Sequence, residues 1–293
     1  MQYQTLKRVS HLSFVLPAFI VFSSVIVFPL FYSFALGFFQ WRGYGEMTFV
    51  GLGNYTRMFN DPVFHIALRN NIMIVLVSVF GQIPLGLFLA YVLYRKMVWG
   101  GDYFKVLIFL PITISAVIIA QLWNRIFSPV GIFTAMMRNF TGNQDYIMTI
   151  VENPRWAITP ILFVLLWQHT SLYMVIFLAN LQRIPNSAIE AARLEGAGDG
   201  TIFLRIVVPM MGYVIFITSV LAISGSFRSF DLIFSMTGGG PAHFTTVIAV
   251  YMYNMTFIHQ NYGYGSSLSI IIILFIVFST LLTRGVSKLF KVE

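Results

Sequence analysis

The feature that most constrains this chain is a succession of apolar runs, each near or above 20 residues and separated by polar connections. A hydrocarbon layer about 30 Å thick takes about 20 helical residues to cross, because a helix rises about 1.5 Å per residue. The runs fall at about 12–39, 72–94, 104–127, 158–181, 206–236 and 267–283. Inside a bilayer the backbone must bond to itself. The expected fold class is therefore all-α integral membrane: six transmembrane helices in one domain, 1–293, with both ends on one side. Composition agrees, with 58% hydrophobic and 10% charged residues, against about 25% charged in soluble domains.

The first run follows Lys7 and Arg8, is too long for the apolar core of a signal peptide and ends without a small-residue cleavage site. It is expected to be retained as a span, with Pro17 and Pro29 tolerated inside it. Trp41, Tyr94, Trp99, Tyr103, Trp123, Trp156 and Tyr264 lie at run boundaries, as interfacial anchors do. Of 18 Lys and Arg residues, eleven fall on the side of the termini and of the second and fourth connections: Lys7, Arg8, Arg95, Lys96, Lys105, Arg183, Arg193, Arg205, Arg284, Lys288 and Lys291. The acids divide evenly. Positive charge collects in cytoplasmic loops, so both termini and the fourth connection are expected there, and Asn139–Arg155 is expected to be a short external loop.

Several chemistries are excluded. With no Cys there is no disulfide, thiolate nucleophile or Cys-based metal centre. The net charge of +8 is explained by loop placement rather than by nucleic acid. His11, His65, His169, His243 and His259 are scattered, no H-E-x-x-H occurs, and no acids pair within a span. An intramembrane enzyme lacks its residues here, and a channel or stand-alone secondary transporter lacks a charged relay.

The fourth connection, about 182–205, is the odd one, because Glu190, Arg193, Glu195, Asp199 and Arg205 crowd together between two apolar runs. Ser187 and Glu190 have the spacing of a capping box, which predicts a short helix after Pro185. Gly196 is expected to stop it, and Asp199 or Thr201 to cap a second helix leading to Pro209. Ala191, Ala192 and Ala197 would keep one face of this elbow narrow.

The string Glu190-Ala191-Ala192, then Gly196, then Ile206, Val208 and Pro209 resembles the cytoplasmic loop motif of permease subunits of binding-protein-dependent ABC importers. Val208 stands where that family more often has Leu. The segment "TGGGP" within Phe230–Thr246, with "GLGNY" at Gly51–Tyr55, "LPITISAVIIAQLW" from Leu110 and "LQRIP" at Leu181–Pro185, is similar to the carbohydrate-uptake branch akin to the maltose and glycerol-3-phosphate systems. The resemblance implies the type I ABC importer permease fold in a bacterial-type cell (inner) membrane. It implies that the elbow between helices 4 and 5 is a coupling helix docking on a separate ATPase dimer, with Glu190, Ala191, Ala192, Gly196, Ile206 and Pro209 as its motif positions. ATP and Mg would belong to that partner, this chain holding no cofactor or metal and doing no catalysis. The chain itself has no G-x-x-x-x-G-K-[ST], and Gly238–Gly240 lack the Lys of a phosphate loop. Further implied partners are a second homologous permease, as a heterodimer, and an extracytoplasmic binding protein, which the external loop with Gly239, Gly240 and Pro241 would help to meet.

Polar side chains inside hydrocarbon are costly and mark a cavity or a contact. They gather in the fourth run (Trp167, Gln168, His169, Thr170, Ser171, Tyr173), the fifth (Ser224, Ser226, Arg228, Ser229, Asp231) and the third (Ser115, Gln121, Asn124). Aromatic faces with hydroxyl and amide groups suit a sugar, and a disaccharide, an oligosaccharide, a polyol or a glycerol phosphate would fit. Individually, Ser and Thr also bond back to their own helix, and Asn or Gln join neighbouring helices. Arg228 and Asp231, three apart on one expected helix face, would neutralise each other.

Overall fold

A computed structural model describes residues 15–143 and 156–289. Lys7, Arg8, His11, the first residues of the 12–39 run, most of the 139–155 connection and Lys291 lie outside the described residues. In chain order the helices are α1 (Val15–Leu36), α2 (Gly53–Phe59), α3 (Pro62–Tyr94), α4 (Gly101–Thr113), α5 (Ala116–Ile126), α6 (Ile132–Thr141), α7 (Thr159–Leu181), α8 (Asn186–Leu194), α9 (199–210), α10 (Gly212–Phe227), α11 (Asp231–Thr237), α12 (Ile248–Ile258) and α13 (Tyr262–Leu289). A two-stranded hairpin, β1 (Phe39–Gln40) against β2 (Thr48–Phe49), joins α1 to α2. Helices α1, α3, α7, α10 with α11, and α13 are each long and apolar enough to cross a membrane, and α4 with α5 makes a sixth if the bent pair is one span. The expected all-α, six-span architecture forms, with revised boundaries.

The second span starts at Pro62 rather than Ile72, because the amides of Asn70 and Asn71 are buried and donate to backbone carbonyls of distant segments, with Asn70 Oδ1 left without a partner among the described residues. The run 104–127 is not one straight helix. Its halves meet at 100°, where Ile114 is extended (ψ 137°) and Ser115 opens α5; Pro111 has no N–H to offer the preceding turn. The run 206–236 is interrupted at Met211 and again between Arg228 and Phe230. The last span begins at Tyr262, five residues before the apolar run, and α12 precedes it. Helix α6 already occupies the start of the 139–155 connection.

The chain divides into two compact units, Met1–Asp61 with Met252–Ile271, and Pro62–Tyr251 with Ile272–Glu293. In the first, the Asn54 amide donates to the carbonyls of Gly37 and Phe39 at 3.0 and 2.9 Å. There the Tyr264 hydroxyl donates to the Asp61 carboxylate at 2.7 Å, with the Arg57 guanidinium over its ring. In the second, two apolar clusters stack along α3 and α7. One gathers Ile74, Ile161 and Leu165 with Leu232 and Val250. The other gathers Ile83, Leu87 and Tyr91 with Tyr173, Phe177 and Leu181, and it takes in Ile189 and Ile202 of the elbow. Between the clusters, in sequence, both helices turn polar: Ser78 and Gln82 on α3, Gln168 and Ser171 on α7.

Candidate functional site

That polar interval opens into a cleft of about 220 Å³ within the second unit, floored by Ile74 and Leu165 and lined by Ser78, Gln82, Gln168, His169 and Tyr173. Helix α10 and the break after it supply Gly225, Ser226, Arg228 and Ser229, and α11 supplies Asp231. On α3, Ile74, Ser78 and Gln82 are four residues apart and share one face. Pro84 leaves the preceding turn without a donor, and the helix relaxes into a π turn at Ser78–Gln82 closed by the Ile83 N–H on the Ser78 carbonyl.

The wall groups are tightly specified. Gln82 Nε2 donates to the Leu165 carbonyl at 3.0 Å, and the Ser226 hydroxyl donates to Ala222 O at 2.7 Å with its oxygen 3.2 Å from Ser78 Oγ. The Asn71 amide donates to Ser226 O at 2.9 Å while its oxygen accepts the Ile248 N–H at 2.9 Å. Gln168 is 5% exposed and its Oε1 has no hydrogen-bond partner among the described residues, so the cleft presents a buried acceptor. Burying an unmade polar bond costs about 1–3 kcal/mol.

Of the residues anticipated for a substrate path, Gln168, His169, Tyr173, Ser226, Arg228, Ser229 and Asp231 meet here. Ser115 and Trp167 do not. Ser115 is exposed at the α4–α5 bend, and Trp167 packs edge-on against Trp123, centroids 5.5 Å apart. The expected Arg228–Asp231 pairing fails as well. The break puts Arg228 at the end of α10, with Nε on Ser224 O at 3.4 Å, and Asp231 at the start of α11. Thr170 and Ser171 bond back to their own helix, and Asn124 ties α5 to Met236 O. Ser78 and Gln82 were missed because they lie in an otherwise apolar run; their spacing from Ile74 was the available signal.

The elbow forms as a helix, a tight turn and a helix. Gly196 ends α8 at φ +87°, with Ala197 N–H on Ala192 O and Gly196 N–H on Arg193 O, both at 2.9 Å: a Schellman stop. The capping box does not form. Pro185 is already the N-cap, which places Ser187 inside the first turn, and no side chain caps it. Nor does Asp199 or Thr201 cap α9, whose N-cap is Gly198; Asp199 instead takes Arg193 at 3.1 Å and Arg95 at 3.7 Å. Ala192 and Ala197 pack inward, whereas Glu190, Ala191 and Leu194 face out, Leu194 at 90% exposure. Beyond the turn Ile202 and Val207 are buried, Ile206 is half-buried and Pro209 exposed.

Residues 82–292 match the family described as "Binding-protein-dependent transport system inner membrane component". The chain belongs to this family. Among relatives of the permease, the probable ABC transporter permease YurN of Bacillus subtilis is 32% identical, covering 96% of both chains. The lactose transport system permease LacF of Rhizobium radiobacter is 32% identical over 90% of this chain and 89% of its own. A chain of a bacterial ABC transporter involved in import of the acidic polysaccharide alginate has the same fold, with TM-score 0.81 at 20% identity, covering 97% of this permease and 99% of that chain.

The glycine loop of the permease is built rather than loose. Gly238 and Gly239 have φ of +60° and +92°. Thr246 Oγ1 donates to Gly239 O at 2.9 Å and Thr245 Oγ1 to Gly240 O at 2.9 Å. The Asn70 amide donates to the carbonyls of Phe244 and Thr246 at 2.9 and 2.8 Å. Gly239 is buried, while Pro241, Ala242 and His243 are exposed.

Proposed function

We propose that this permease forms half of the path by which a carbohydrate, delivered by an extracytoplasmic binding protein, enters the cell. The observation that carries the reading is the cleft, where an aromatic hydroxyl, serines and two amides, one of them with an unpartnered buried acceptor, converge between apolar clusters. A sugar stacks its C–H faces on apolar walls and must find partners for its hydroxyls. The lactose permease among the relatives and the alginate importer among the folds support the same class. Arg228, unpaired with Asp231, favours as a second reading an anionic solute such as a glycerol phosphate.

The energy enters through α8. Its outward face of Glu190, Ala191 and Leu194 docks a separate ATPase subunit that carries ATP and Mg, this chain doing no catalysis. Both termini and α8 then face the cytoplasm, the Pro241–His243 tip faces the binding protein, and a second homologous permease completes a heterodimeric path. A docked ATPase biases an equilibrium between outward- and inward-open states.

The test is gentle purification of the tagged chain from its native membrane, identification of co-purifying polypeptides, and reconstitution in nanodiscs with a panel of neutral sugars, acidic sugars, polyols and glycerol phosphates. Hydrolysis raised by a neutral or acidic sugar with its binding protein supports the carbohydrate reading. Stimulation by a glycerol phosphate alone favours the second. A chain recovered alone and active without ATP overturns both.

A further inference from the structure

The elbow and the cleft are joined by a helix that is not adjacent to the elbow in sequence. Arg95, at the end of α3, lies with Nη2 3.7 Å from Asp199 Oδ1; its side chain is 16% exposed, against 51% for Arg193, which shares that carboxylate. Arg95 Nε is buried without a partner, so among the described residues Asp199 is the counter-charge on which this guanidinium depends. One turn earlier the Tyr91 hydroxyl donates to the Asp199 carbonyl at 3.3 Å, and its ring lies against Phe203, centroids 5.0 Å apart. The Tyr94 hydroxyl donates to Asn186 Oδ1 at 3.2 Å. The last turns of α3 thus grip α8 through Asn186 and α9 through Asp199 and Phe203.

At the other end of the same stretch, Ser78 and Gln82 line the cleft. Gln82 to Arg95 is about 20 Å of helix. Along it Gly86 is pressed onto α7 so closely that a Cβ would lie 2.8 Å from Tyr173 Cβ and 2.9 Å from Met174 N, and Tyr173 is itself a cleft residue. Close approach of this kind leaves no slack at the crossing, so a shift of α3 there is felt by Tyr173.

We propose that α3 from Ser78 to Arg95 is the lever through which movement of the elbow reaches the cleft, with Asp199 and Arg95 as the positioning residues that fasten one to the other. The lever rests on the docking role proposed for α8, and it adds which span is moved and through which charges. Two discrete arrangements of the π turn, one for each state, would convert a push at Arg95 into a displacement of Ser78 and Gln82.

Two experiments test it. In the reconstituted complex, Asp199→Asn keeps hydrolysing ATP while solute moved per ATP falls about three- to ten-fold, and the exchange Arg95→Glu with Asp199→Arg recovers most of that ratio. A wild-type ratio in Asp199→Asn, or no recovery on exchange, overturns the lever. The second experiment needs no substrate, so it stands even if the carbohydrate reading fails. Hydrogen exchange on the full chain in detergent should quicken in Asp199→Asn both at the elbow, 186–204, and at the π turn, 78–82, and the charge exchange should slow both again. Quickening at the elbow alone marks a local strap and overturns the lever.

Discussion

Gly196 and Gly239 both sit at positive φ, yet they are glycines for different reasons. Around Gly196 (φ +87°) a Cβ would meet nothing within 4 Å, whereas at Gly239 (φ +92°) it would stand 2.5 Å from Thr246 Oγ1 and 3.3 Å from Val250. Gly196→Ala should therefore cost about 1–2 kcal/mol, the left-handed penalty alone, and Gly239→Ala distinctly more. Thermal denaturation of the purified variants checks this, the expected order of Tm being wild type, Gly196→Ala, Gly239→Ala; equal losses would mean that the loop yields to a methyl group. Gln168 poses the opposite case, a buried amide whose Oε1 has no partner among the described residues. Gln168→Leu should raise the solute concentration for half-maximal transport about two- to ten-fold, the worth of one hydrogen bond, with Tm unchanged or higher. A Tm loss with unchanged transport would make Gln168 a structural amide.

Helix α8 has two faces of opposite character. Ile189 is 2% exposed and belongs to the apolar cluster, while Leu194 is 90% exposed beside Glu190 and Ala191. The docking role proposed for α8 makes this exposed face the part that a partner would cover. Leu194→Ser and Glu190→Arg should reduce ATPase recovered on co-purification several-fold and leave Tm within about 0.5 kcal/mol equivalents, as surface changes do. Undiminished recovery in both would move the docking site elsewhere. The α3–α7 pair has no such spare face, because Gly86 and Gly81 let the helices approach, Gly81 with a Cβ position 3.0 Å from Leu166 Cδ1. Gly86→Leu should overpack that crossing and cost about 1–3 kcal/mol, read as a lower Tm and as a smaller yield of inserted chain.

Across the molecule, buried amides do what water would do in a soluble protein. Asn71 joins α3 to Ser226 at the end of α10 and to Ile248 at the start of α12, and Asn70 holds the segment between Phe244 and Thr246. Without water, a freed carbonyl or N–H has no second choice. Asn71→Leu should lower Tm more than any single side-chain truncation on the exposed face of α1, where Phe28 and Phe31 are 69% and 67% exposed. Parallel melts of Asn71→Leu and Phe31→Ala compare the two, and an equal or larger loss from Phe31 would reverse the assignment.

The apolar runs were sufficient for class and span number, because the length needed to cross hydrocarbon is set by the 1.5 Å helical rise and by nothing else in the fold. The Gly196 stop was likewise legible, since a left-handed residue ending a helix is most often glycine. What hydropathy could not reveal was every feature in which a polar group is paid for by a distant partner. Asn70 and Asn71 lie just outside the 72–94 run and are buried clamps within its helix; Ser187 has a capping spacing that Pro185 pre-empts; Arg228 and Asp231 sit three apart in sequence but at the ends of different helices. The bend at Ser115 and the π turn at Ser78–Gln82 belong to the same class, for Pro111 and Pro84 announce a missing donor, whereas the direction in which the helix gives way depends on what packs against it. The cleft inherits this division. Its α7 half stood in one readable string, and its α3 half, Ser78 and Gln82, became polar lining only because the chain folds α3 against Leu165, Gln168 and Tyr173, a pairing decided by packing between segments more than eighty residues apart.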